Sequence, residues 1–277
     1  MKNRILKGAT YIILALSIPA IGWGLKSDSE ISNHPEIKKE ISQSTVKQEK
    51  VTSAASLFDQ YISGVYTAAG LADASLDYAV FAKAITGYYN LNEAGRLSET
   101  KHILSIVDFN KPSSEKRMWI IDLDAKKLLF NTLVAHGKGS GDNYATNFSN
   151  ISESNQSSLG FYVTANTYHG KHGLSLKING MDREYNSNAL NRAVVIHGAS
   201  YVNEDFVKQH GRLGRSLGCP ALPEALTPAI INTIKNQTTL FINGPAKVEY
   251  ASEYLNLESA LNKFISSDQQ ILAATGV

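Results

Sequence analysis

Residues Ala193 to Pro223 read AVVIHGASYVNEDFVKQHGRLGRSLGCPALP. The opening run, Ala193-Val194-Val195-Ile196, is short, apolar and largely β-branched, with turn residues around it, and so reads as a buried strand. That strand delivers His197 to its end, where Gly198 turns the chain, and a polar loop follows. Gly211, Gly214 and Gly218 then punctuate an arginine-containing segment that ends on Cys219, the single cysteine of the 277 residues. Pro220 and Pro223 follow directly. Thr227 can cap, and Pro228 suits the first turn of, a helix predicted to run to about Lys235.

A strand end that fixes an imidazole, and a glycine turn that exposes a sulfur, point to a thiol nucleophile with a histidine base. The attacking species is the thiolate, whose ordinary pKa is about 8.5. His197 takes the proton, and a third group must hold its ring, either a backbone carbonyl near Gly198 or the Ser200 side chain. Gly218 lets the backbone approach closely, so the amides of Gly218 and Cys219 are placed to meet a developing oxyanion. A lone cysteine also serves as a small buried hydrophobe, and a histidine after a strand as a satisfied turn residue. The setting of Cys219, between Gly218 and Pro220 and outside any apolar periodic run, favours the nucleophile. Arg212 and Arg215 flank the preceding glycines, and a guanidinium there can grip a carboxylate with two parallel hydrogen bonds. A solvated loop arginine is the rival reading for each.

These residues resemble a family. Ser216-Leu217-Gly218-Cys219, with His197 upstream, is similar to the motif of the L,D-transpeptidase catalytic domain of the YkuD type. The strings His197 to Tyr201 and Gly214 to Ala221 match its murein L,D-transpeptidase branch, in which His-Gly-Ala-x-Tyr and Gly-Arg-Ser-x-Gly-Cys-Pro-Ala are typical. The resemblance runs from about Ser98 to Gly244. Leu217 stands where a histidine is usual, the Asn or Arg usual after the cysteine is missing, and the spacer between His197 and Ser216 is slightly long. The resemblance implies a compact β-sandwich-like catalytic fold, peptidoglycan stem peptides as substrate and no metal or organic cofactor. It also makes Ser216, Ser158, Tyr168 and Lys171 candidate cleft residues, with ordinary loop polar groups as the alternative.

Working outward, the N-terminus reads as a secretory signal over residues 1–24. Lys2, Arg4 and Lys7 precede an apolar core, Tyr11 to Ile21, that is short for a bilayer span. Ala20, Gly22 and Gly24 offer cleavage points, with an uncleaved anchor as the alternative; no nearby cysteine allows lipid attachment. The expectation is an exported protein of the periplasm or cell wall, with no stable membrane insertion after processing. A single thiol in an oxidising compartment has no intramolecular partner for a disulfide. Residues 25–52, rich in Ser, Glu, Lys and Gln, read as a solvated linker. Residues 53–97 read as a helical extension, with Leu57, Phe58, Tyr61 and Val65, then Leu76, Val80, Ala84 and Tyr88, at helical spacing. Gly70 separates the two helices and Gly95 stops the second.

From Lys101 the period changes to that of strands, over Ile103 to Val107, Met118 to Ile121, Lys127 to Ala135, Ser157 to Val163 and Leu174 to Ile178. This succession predicts an antiparallel sheet and a catalytic domain over residues 98–245. His136-Gly137 opens a glycine- and asparagine-rich loop and is placed to line the cleft. Zinc is the competing chemistry for the histidines at 136, 169, 172, 197 and 210, but His169-Gly170-Lys171-His172 lies among glycines and not on a helix. Thr238 to Ile242 reads as a closing strand, and Tyr250 to Ile265 as an amphipathic helix within a C-terminal tail, 246–277. The net charge of +2 gives no reason to expect a nucleic-acid partner.

The whole reads as a mainly β, cysteine-dependent L,D-transpeptidase with helical additions at both ends. A carboxypeptidase or endopeptidase using the same site is one alternative, and a non-catalytic wall-binding module the other.

Overall fold

Strand β1, Ile103–Asp108, and strand β2, Met118–Asp122, are buried over nearly their whole length. Alternate residues supply two different cores. Leu104, Ile106, Trp119 and Ile121 face one apolar cluster, while Ile103, Val107, Met118 and Ile120 face a second. The sheet is therefore covered on both sides, which explains why its strands read as continuous apolar runs. The structure, a computed structural model, describes residues 54–275, with side chains to Ser267. The predicted signal and linker lie outside the described residues.

The remaining strands are β3 (Lys127–Thr132), β4 (Gly160–Gly170), β5 (Gly173–Gly180), β6 (Val195–Gly198), β7 (Ala221–Leu222) and β8 (Thr239–Asn243). All eight form one sheet in the order β3-β2-β1-β8-β4-β5-β6-β7. The expected antiparallel sheet is corrected to a mixed one, because β8 inserts between β1 and β4 and runs parallel to β1, and β7 runs parallel to β6. The chain leaving β3 comes round to the opposite edge, where the Ala135 and Ala221 amides and carbonyls bond each other at 2.9 and 3.3 Å. The sheet thus closes barrel-like on itself, and the inner core fills its interior. A mainly β catalytic body with helices added at both ends is what the sequence led us to expect.

Three helices cover the outer face. Residues 54–68 form α1, which Gly70 ends at φ +62°. Helix α2, Tyr78–Glu93, begins on Asp77, whose carboxylate accepts from the amides of Ala79 and Val80 at 2.8 and 3.1 Å. Phe58, Ile62 and Val65 of α1 and Phe81, Ala84, Ile85 and Tyr88 of α2 pack onto Leu104, Trp119, Phe161 and Phe241 of the sheet. Leu57, placed on this buried stripe by its spacing, is instead 50% exposed. Helix α5, Leu257–Thr275, closes the layer, with Phe264 against Phe58 at 5.1 Å between ring centroids.

Two short helices flank the motif. The stretch read as a polar loop holds α3, Glu204–His210, capped by Asn203 Oδ1 on the Phe206 amide at 2.7 Å and ended by Gly211 at φ +71°. Helix α4, Thr227–Ile234, has Pro228 in its first turn as expected, but Leu226 is its N-cap. The Thr227 hydroxyl donates to the Pro223 carbonyl at 2.9 Å, so it ties the turn and does not cap the helix.

Candidate active site

The parallel pairing of β6 with β7 sets His197 opposite Ala221. Ile196 and Leu222 point into the inner core, so by alternation His197 and Ala221 face away from it. Cys219 lies two residues before Ala221, on the approach to β7. Its sulfur rests on the strand that carries the histidine: the Val195 amide donates to Sγ at 3.4 Å, and the Ala193 carbonyl lies 3.8 Å from it. The chain enters that strand through Ala193 at φ +52°.

The imidazole of His197 is buried, 3% exposed. Its Nδ1 lies 2.8 Å from its neighbour Gly198's carbonyl oxygen, which can only accept. The proton therefore sits on Nδ1, and Nε2 is left as the basic nitrogen. His172, at the exposed turn between β4 and β5, stacks on this ring with centroids 4.3 Å apart and planes 25° apart. Burial pushes the His197 pKa down, the Gly198 carbonyl opposes this, and His172 and Lys171 add to it. The base is thus neutral at neutral pH. The Cys219 thiol is pushed up by burial and pulled back by the Val195 amide, Arg192 and Lys171. Thiol and imidazole thus both rest neutral.

Ser216 organises the turn before Cys219. Its hydroxyl donates to the Cys219 carbonyl at 2.6 Å and accepts from the Gly218 amide at 3.0 Å. The Gly218 amide is therefore already engaged, and of the two amides read as oxyanion donors the Cys219 amide is the one outside this bond. Gly218 itself runs at φ +126°. The turn is laid on the chain that follows β3, where the Ser216 amide donates to the His136 carbonyl at 3.0 Å and the Lys138 amide to the Ser216 carbonyl at 2.8 Å.

Arg212 and Arg215 converge on one carboxylate. Asp142 Oδ1 lies 2.8 Å from Arg212 Nε and 3.0 Å from Arg215 Nη1, and Arg215 also donates to the Gly141 carbonyl at 3.0 Å. Both guanidiniums are thus occupied within the protein. His136 is fully buried behind the turn and does not line an open cleft. Arg117, also fully buried, donates through Nη2 to His136 Nδ1 at 2.8 Å, and burial together with Arg117 pushes the His136 pKa down to about 4. Ser158 is buried, donating to the Ser149 carbonyl at 2.8 Å and accepting from Arg192 Nη1 at 2.5 Å. Tyr168 is exposed on β4, 5.9 Å beneath the Lys177 ammonium. Ser200 is exposed as well, and it is the Gly198 carbonyl that meets the imidazole.

A cleft of 560 Å³ opens beside Gly198, lined among others by Lys171, His172, Leu174, Tyr201 and Glu224, with neither His197 nor Cys219 in its lining. Among the described residues, no three His, Cys, Asp or Glu side chains come together as a metal site would require. None of the described helices is long and apolar enough to cross a membrane. Of the further residues that shape the site, sequence reasoning passed over Arg192 and weighed Asp142 and the stacking partner His172 only as zinc ligands. For Arg192 the available signal was a charged residue directly before a buried strand.

A family model described as the L,D-transpeptidase catalytic domain matches residues 72–243, from ahead of α2 to the end of β8. No curated protein matches the chain. Among solved structures, the chain is similar to an L,D-transpeptidase from Mycobacterium smegmatis, at 9% identity and a TM-score of 0.32, over 50% of this chain and 57% of that one. It is similar to the helical cell shape determining protein Pgp2 from Campylobacter jejuni, at 13% identity and a TM-score of 0.34, over 65% and 62%. A mutant of the Enterococcus faecium L,D-transpeptidase gives 14% identity and a TM-score of 0.32, over 52% and 50%. The chain thus spans between half and two thirds of the length of these relatives. The family match covers more than half of the chain and contains the histidine strand and the cysteine turn, so this chain belongs to the L,D-transpeptidase catalytic domain family.

Proposed function

We propose that this is an exported cell-wall enzyme that transfers acyl groups between peptidoglycan stem peptides through a thioester on Cys219. The observation that carries the proposal is the packing of the Cys219 sulfur on the backbone of the strand that ends in His197, with the His197 ring held through Nδ1 and its Nε2 basic. His197 Nε2 takes the thiol proton as Sγ attacks the amide carbon between the L-centre of the third stem residue and the D-residue that follows. The oxyanion so formed is met by the Cys219 amide. Collapse breaks the C–N bond, and His197 returns its proton to the departing amine. An acceptor amine then attacks the thioester, loses its proton to His197 and releases the thiol. Water as acceptor gives hydrolysis by the same steps. Because both groups rest neutral, proton transfer accompanies attack and no standing thiolate is required. With Arg212 and Arg215 bound to Asp142, Lys171 at the exposed hairpin tip is the cation best placed to meet a substrate carboxylate in the cleft.

The test is intact-protein mass spectrometry of the full chain mixed with a disaccharide tetrapeptide, with and without an added amine. The expected result is an acyl adduct and released D-amino acid, both lost in Cys219→Ala. Adduct discharge that requires the amine means transfer, and discharge without it means hydrolysis. Binding to sacculi with no adduct and no release would overturn the proposal.

A further inference from the structure

Arg192 has no part in the steps above. It lies three residues before β6, its Nη2 lies beside Gly218, the neighbour of Cys219 in the chain, and its charge opposes the upward push of burial on the Cys219 thiol. Its guanidinium donates from Nη1 to the Ser149 carbonyl at 2.6 Å and to Ser158 Oγ at 2.5 Å. From Nη2 it donates to the Gln156 carbonyl at 2.6 Å and to Ser154 Oγ at 3.3 Å. All four Nη hydrogens are thereby taken, so no fork remains to grip a substrate carboxylate. Every acceptor is neutral, and none of the ion pairs among the described residues includes Arg192.

Those acceptors lie in one segment, residues 149–158, and that segment is the floor of the nucleophile turn. A Cβ on Gly218 would stand 2.9 Å from the Gln156 carbonyl and 3.4 Å from Arg192 Nη2. Ser157 Oγ donates to the Gly218 carbonyl at 3.3 Å and accepts from the Gly137 amide at 3.0 Å. We propose that Arg192 is a positioning residue for the nucleophile: it clamps the 149–158 floor under Gly218 and presents an unneutralised positive charge to the Cys219 sulfur. A partly buried charge is screened far less than one at an exposed hairpin tip, so Arg192 outweighs Lys171 in this role. Burial alone favours the protonated sulfur, and the guanidinium offsets this by favouring the negative charge that builds on the sulfur as its proton leaves.

The inference deepens the cysteine reading. It is tested without substrate, so its failure is distinguishable from a failure of the transfer reaction. The full chain is alkylated with iodoacetamide from neutral to alkaline pH, and the rate at its lone thiol is read by intact mass. Arg192→Gln is expected to move the midpoint of this profile to higher pH, with a rate near neutrality about tenfold lower for each pH unit moved. Arg192→Lys, which keeps the charge and loses most of the clamp, should retain the midpoint and lower the melting temperature. Lys171→Gln should move the midpoint less than Arg192→Gln. An unmoved or lowered midpoint in folded Arg192→Gln overturns the proposal, and so does a larger effect of Lys171→Gln. Should Arg192→Gln fail to fold, the wild-type chain still decides. Its rate ratio for anionic iodoacetate over neutral iodoacetamide should exceed that of the same chain in urea and fall with added salt; a ratio no higher than in urea overturns the charge role.

Discussion

At Gly218 the backbone lies at φ +126°, where an L side chain is strained, and a Cβ would press on the Gln156 carbonyl at 2.9 Å. Gly218→Ala should therefore cost on the order of 1–3 kcal/mol of stability and remove the acyl adduct, measured by urea denaturation and intact mass. At His197 the prediction concerns pH. Its depressed pKa keeps the imidazole unprotonated and able to accept a proton, so the acylation rate should hold on acidification through the ordinary histidine value of about 6.5 and fall only below it. A single-turnover rate that halves at or above that value would contradict this. His136 gives the matching stability statement. Its folded pKa, about 4, is depressed by burial and by Arg117, so the unfolded chain binds the extra proton first. Its contribution to stability is complete above the unfolded value and is lost as pH falls from there toward about 4. His136→Gln should thus lose less stability than wild type over that window in paired thermal melts. Cys219 and His197 could be singled out from the sequence because the features that mark them are local: a strand end, a glycine turn and one thiol. Arg192 could not be, because its four acceptors are supplied by residues 149–158, and no pattern around residue 192 announces them.

Among the elements, the loop holding Asp142 competes for the arginines of the nucleophile turn. Asp142 is 73% exposed, so its ion pairs contribute little, and Asp142→Ala should lower stability by less than about 1 kcal/mol. The same change releases Arg215. If Arg215 meets the substrate carboxylate, KM should fall in Asp142→Ala and rise in Arg215→Ala; an unchanged KM in both removes Arg215 from binding. Asp182 does the opposite kind of work, joining the C-terminal tail to the sheet. It accepts from the Phe161 amide at 2.6 Å, Tyr250 Oη at 2.8 Å and Ser252 Oγ at 2.5 Å. Asp182→Ala leaves those donors without their acceptor, at a cost of roughly 3 kcal/mol or more in urea denaturation. The strands themselves were legible wherever apolar runs met turns, as in β1 and β2. That β8 lies between β1 and β4 was not, since its run Thr239–Asn243 carries no mark of its neighbours. Helix α3 was missed because its caps, Asn203 and Gly211, are also loop residues, and it has no buried face to impose a period.

For the molecule as a whole, the outer face of the sheet decides what can be removed. Trp119, Phe161 and Phe241 are fully buried beneath α1, α2 and α5. Phe161 packs so closely on α2 that a Cβ at Gly87 would fall 2.1 Å from its ring. A chain starting at Ser98, the first residue of the catalytic domain as read from sequence, would bare this face and should be insoluble. Phe161→Ala should cost about 3–5 kcal/mol. The family match, which begins at residue 72, agrees with counting α2 as part of the catalytic body. The seam at Ala135–Ala221, continued by Gly137–Ser216, closes the sheet and is also the bed of the cysteine turn. Under the proposed chemistry, the contact that closes the sheet is therefore also the one that seats the nucleophile. Should the distant stretches of chain fail to meet along that seam, the turn that carries Cys219 loses the strand it lies on, and a chain cut or mispaired there is expected to leave its thiol unseated.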